Sequence, residues 1–166
     1  MNSNLGRLAA RTGRTTEGAE LLEQARAVFD AVHAGTYVDE TDVRLLECAL
    51  LAYEFNRVVA TGAELAARFA RRAGYETLYA TTLRLRSIAL TRLGDYAEAE
   101  PLLDESVVRA WEMGQNFELA QALESRAELW RRLGSAEAAE RAASDESHSE
   151  VLFARLGVGR RQPGAH

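Results

Sequence analysis

Two short spacings in this chain are of the kind that can hold a metal ion, Asp30 with His33 and Asp145 with His148. Residues three apart share a helical face. Di-iron helical bundles use this carboxylate–histidine spacing, usually with glutamate, where four helices converge and further carboxylates join them. In a chain of successive helix pairs these two positions lie several helices apart. Both therefore read as solvated polar residues, and no metal is expected. The third histidine, His166, ends a tail.

Cys48 is the single cysteine and stands in LLECALLAYEF. A nucleophilic thiol needs an activating base, and no histidine lies near it in sequence. Its ordinary role is that of a small buried hydrophobe. One cysteine forms no internal disulfide, so nothing points to an oxidising compartment. All 20 basic residues are arginine. Schiff-base chemistry and a Walker-type phosphate loop both require lysine, and both are excluded. Gly-x-Ser-x-Gly, His-Glu-x-x-His, Cys-x-x-Cys and Gly-x-Gly-x-x-Gly are absent. No enzymatic activity and no cofactor are predicted.

The net charge of −5 comes from interspersed acids and arginines. A nucleic-acid binder carries a basic face or stripe. Here the local excesses are Arg7, Arg11 and Arg14 at one end and Arg160–Arg161 at the other, so nucleic acid is not an expected partner. The N-terminal MNSNLGRLAARTGR lacks the apolar core of a signal peptide. The longest apolar run, Leu45–Phe55, is interrupted by Glu47 and Glu54 and is no membrane span. A cytoplasmic location is predicted.

What remains is a repeat. Residues 74–100 align without gaps on residues 114–140, and nine of the 27 positions are identical, among them Gly74/Gly114, Leu83/Leu123 and Gly94/Gly134. Self-similarity at a fixed period of a few dozen residues marks a stacked-repeat architecture. Extended backwards, the 40-residue frame holds four units of two amphipathic helices each. Helices are predicted at 2–12, 16–34, 41–54, 57–73, 77–93, 96–113, 117–133 and 136–156. Gly13, Gly94 and Gly134 suit the left-handed residue that closes a helix. Asp95 with Glu98 reads as a capping box, and Ser135 and Asn116 as caps. Residues 35–40 (GTYVDE) are assigned to a loop, and SDESHS at 144–149 offers a break in the last helix.

This pattern resembles the tetratricopeptide repeat (TPR) family. The large slots are Leu83 and Leu123, the small slots Ser87 and Ala127, and the next large slots Leu90 and Trp130. The turn glycines are Gly94 and Gly134, the packed alanines Ala99 and Ala139, and LGDYAEA at 93–99 is close to the family's turn. The period departs from the usual roughly 34 residues. It is similar to that of the long TPR-like arrays in bacterial multidomain transcriptional regulators, as is the ending VLFARLGV. In the second unit the frame puts Glu47 in the small slot and Glu54 where glycine belongs. Met1 falls inside the first helix, as expected of a unit cut from a longer array or of a natural cap. The resemblance implies an all-α fold, a TPR-like right-handed helical solenoid of about four repeats over 1–156. The units are 1–34, 41–73, 77–113 and 117–156, followed by a disordered tail at 157–166.

The same resemblance places the first helix of each unit along an inner groove. That groove would present Arg44, Cys48 and Leu51, then Thr81, Arg84, Ile88 and Thr91, then Gln121, Glu124, Glu128 and Arg131. Arg44 and Arg84 fall in equivalent slots of the 40-residue frame. The candidate partner-binding set is Arg44, Arg84, Ile88, Glu124, Glu128 and Arg131. The implied function is a protein- or peptide-binding scaffold within or beside a regulatory system. The alternative is the small-molecule-sensing domain of a multidomain transcriptional regulator, and a third reading is self-association through an end face.

Overall fold

Alanine, leucine, glutamate and arginine are good helix formers, and two prolines leave long stretches uninterrupted. The computed structural model, which describes residues 2–158, accordingly consists of helices and short breaks. In chain order the helices are α1 (Asn2–Arg11), α2 (Thr15–Ala31), α3 (Gly35–Leu51), α4 (Phe55–Phe69), α5 (Glu76–Leu93), α6 (Tyr96–Glu112), α7 (Asn116–Leu133) and α8 (Ala136–Arg155). There is no strand among the described residues. Met1 and most of the expected tail, from residue 159 on, lie outside them.

A residue with positive φ follows every helix: Gly13, His33, Tyr53, Gly74, Gly94, Gly114, Gly134 and Gly157. From Gly13 to Gly134 these residues come 20 or 21 apart. Glycine takes this conformation freely, whereas a side chain resists it. Two breaks therefore hide in the sequence, because His33 and Tyr53 do a glycine's work with φ of 55° and 62°. Glu54 is not the turn residue; it precedes α4 as its cap. The Asp95 carboxylate accepts from the Glu98 amide at 3.3 Å and the Ser135 hydroxyl from the Ala138 amide at 3.0 Å. Asn116 is not a cap but the first residue of α7.

Two boundary expectations fail. Residues 35–40 are the first turns of α3. Tyr37 stacks on Phe29 at 5.2 Å, and Asp39, buried, pairs with Arg68 at 3.1 Å and Arg72 at 2.8 Å. These partners, on α2, on α4 and in the break that follows α4, hold as helix a segment that local preference leaves open. Helix α8 runs unbroken through 144–149, since Asp145 and Ser149 are buried on its inner face.

Burial shows a register finer than the letters do. The buried positions of α5 recur in α7 at an offset of 40: Ala80/Ala120, Thr82/Ala122, Leu83/Leu123, Ser87/Ala127, Ala89/Leu129, Leu90/Trp130. In α3 the matching offset is 41, so Leu46, and not Glu47, holds the slot of Ser87. Helices α4, α6 and α8 bury residues spaced four, three and four apart. In α4 these are Val58, Gly62, Leu65 and Phe69; in α6, Ala99, Leu103, Ser106 and Ala110; in α8, Ala138, Ala142, Asp145 and Ser149. Ala139 is exposed and Ala138 packs in its place. A one-residue slip turns a helix by about 100°, and here Asp145 sets the turn by reaching Arg126 and Trp130 on α7.

Each helix packs on its neighbours in the chain, and the odd helices also pack on one another, α1 on α3, α3 on α5 and α5 on α7. Among the described residues no two even helices approach within 8 Å between Cα atoms, nor does α1 so approach α7 or α8. At one end, α1 and α2 cross so closely that a methyl group added to Gly18 would lie 2.8 Å from backbone atoms of Gly6 and Ala10.

Candidate functional site

The odd helices enclose a cavity of about 470 Å³, open to solvent, lined from α1, α3, α5, α7 and the break before α5. Arg7 enters from α1, Glu40, Arg44 and Glu47 from α3, Arg84 from α5, and Glu118 from α7. Apolar surface comes from Val43, Leu78 and Leu85, and Tyr75 closes one wall. Tyr75 is held by its ring contact with Phe69 at 5.5 Å and by the Arg72 guanidinium, which stacks on it at 3.8 Å and donates to its hydroxyl.

Most of the charges here are already committed. Glu47 accepts from Arg7 at 3.0 Å and Arg11 at 2.7 Å, a clasp that fastens α1 to α3. Burial alone would raise its pKa and is the largest single influence. The hydrogen bonds and charges of Arg11 and Arg7 together outweigh it and hold the carboxyl below the usual glutamate range. Arg84 donates to Glu118 at 3.3 Å and Gln121 at 3.0 Å, and its Nε is buried without a partner. Arg44 is different. It donates to the Ser3 hydroxyl, a neutral group, and to no carboxylate among the described residues. Glu40, one turn before it on α3, forms no ion pair or hydrogen bond among those residues.

Of the six candidates read from the sequence, the structure brings Arg44 and Arg84 together on this cavity. They are not in equivalent slots: with α3 offset by 41, Arg44 matches Leu85 and Val43 matches Arg84. Nor is Arg84 a solvated surface group, since its side chain keeps 11% of its exposure. Arg131 is elsewhere, paired with Glu128 at 2.9 Å and Glu146 of α8 at 3.0 Å. Glu128 is taken by Arg131 and Arg132. Ile88 and Glu124 are half-buried on α5 and α7 and do not line the cavity. Of the wider groove, Thr81 lines the cavity, whereas Cys48 and Thr91 are buried in helix packing. Glu40 was hidden by the assignment of 35–40 to a loop. Its four-residue spacing from Arg44 was the available signal.

The remaining chemical candidates stay apart. His33 and His148 are exposed, and Asp145 is engaged by Arg126 at 2.8 Å and by the Trp130 indole at 3.1 Å. Among the described residues no three metal-ligating side chains gather. Burial pushes the Cys48 thiol up, and its sulfur donates to the Thr15 carbonyl. No helix among the described residues is long and apolar enough to cross a membrane. In comparison with known proteins, no family model matches the chain, and no curated protein or solved structure matches it significantly.

Proposed function

We propose that the eight helices form a TPR-like right-handed solenoid of four helix pairs, and that the chain is a protein- or peptide-binding scaffold in or beside a regulatory system. Support for the architecture comes from the open ladder of contacts and from burial that recurs at offsets of 40 and 41. Such a molecule presents a surface, and its affinity rests on a few anchors rather than on area. The observation that carries the functional reading is the cavity itself, where Arg44 and Arg84 stand on the one face that all the odd helices share. Arginine suits this work because its planar fork pairs with carboxylates and stacks on aromatic rings.

Selection of peptides from a display library on the immobilised protein tests this reading. Selected peptides should lose about tenfold or more in affinity on Arg44→Ala and on the cavity-filling Thr81→Arg. They should be indifferent to Arg109→Ala and Arg141→Ala on α6 and α8. A library that yields no binder, or binders that respond only to the α6 and α8 changes, overturns the groove as the functional face.

A further inference from the structure

The cavity's charges decide what kind of ligand it complements. Its lining carries three arginines and three glutamates. Arg7 is spent on Glu47 and Arg84 on Glu118. What remains is one guanidinium, Arg44, and one carboxylate, Glu40. They stand four apart on α3, glutamate first, which is the order and spacing that favours an ion pair on a helix. The pair is nonetheless open: Arg44 turns to Ser3 on α1. A guanidinium has five N–H donors, so the bond to Ser3 leaves others for a ligand.

An uncommitted cation and an uncommitted anion one helical turn apart are complemented by a molecule with one anion and one cation close together. A singly charged ligand would satisfy one and leave the other facing it with like charge. Beside the pair lie Val43, Leu78 and Leu85, which offer apolar contact. The volume of about 470 Å³ falls within the range of small-molecule sites.

We propose that this cavity binds a free α-amino acid with an apolar side chain, its carboxylate on Arg44, its ammonium on Glu40, and its side chain against Val43, Leu78 and Leu85. The inference rests on the cavity being a ligand site but not on a peptide being the ligand. It gives the chain a way to respond to a small metabolite through the same face that would hold a partner.

Calorimetric titration of the full chain with L-leucine and L-phenylalanine tests it, with N-acetyl-leucine, leucine amide and the dipeptide Leu-Leu as comparison arms. Saturable binding of the free amino acids is expected, weakened about tenfold or more when either end is blocked. Glu40→Gln should remove the discrimination against the acetylated form, and Arg44→Gln that against the amide. Circular dichroism melts of both variants establish that they are folded, which is expected because both side chains are only half-buried. Three outcomes overturn the proposal: no saturable binding of L-leucine or L-phenylalanine up to about 10 mM, a range that reaches affinities weaker than millimolar; blocked forms that bind as well as free ones; or binding of Leu-Leu without binding of leucine. Peptide selection on the same face can succeed while this titration fails, and the reverse, so the two readings fall separately.

Discussion

The two halves of the chain reverse at the same intervals and are written differently. From α5 to α8 the repeat is visible in the letters: Gly74/Gly114, Leu83/Leu123 and Gly94/Gly134 are identical pairs. From α1 to α4 it is not, yet the backbone turns at the same intervals and α3 buries five of the eight positions equivalent to the buried ones of α5. There His33 and Tyr53 stand where later breaks have glycine, and Leu46 fills a slot held later by serine and alanine. A helix pair tolerates such exchanges as long as its apolar face and its reversal survive. The less regular half also supplies four of the six charged residues that line the cavity, Arg7, Glu40, Arg44 and Glu47. Departure from the repeat and chemical individuality coincide in α3.

The largest test of this comparison is packing. Leu46 and Leu83 are both buried to about 2%, in opposite halves. Leu→Ala at either should cost roughly 2–5 kcal/mol in urea unfolding. A small loss at Leu46 would show that α3 does not follow the register of α5 and that the halves are built differently.

The breaks offer a smaller and oppositely signed test. Gly94→Ala forces a side chain into the left-handed region and should cost about 1 kcal/mol. His33→Gly relieves the same conformation at an exposed residue and should gain up to about 1 kcal/mol, less what the added freedom of the unfolded chain takes back. If both changes destabilise, His33 is held by more than its backbone.

The smallest effect is in pH. Because the Glu47 carboxyl is held below its usual range, its contribution is present above the unfolded glutamate value near about 4.3. It is lost as pH falls through the lower folded value. Glu47→Gln should narrow the stability gap to the parent protein as pH drops from about 6 to 3, with a gap within the 0–1 kcal/mol typical of partly exposed ion pairs. A gap that widens on acidification would contradict the clasp between α1 and α3.

The sequence alone determined that the chain is helical, since composition, apolar spacing and helix-closing glycines act locally. It also marked Arg44 and Arg84 as candidates, and the Asp95 and Ser135 caps. Only tertiary structure decided the rest, because it depends on partners distant in the chain. Residues 35–40 became helix through Phe29, Arg68 and Arg72. The turn of α8 follows from Asp145 reaching Arg126 and Trp130. Arg84 and Arg131, drawn from the same groove, were separated by the glutamates each found. The open pair of Glu40 and Arg44 exists because Ser3, some forty residues earlier in the chain, draws the guanidinium from the carboxylate that spacing alone would have matched to it.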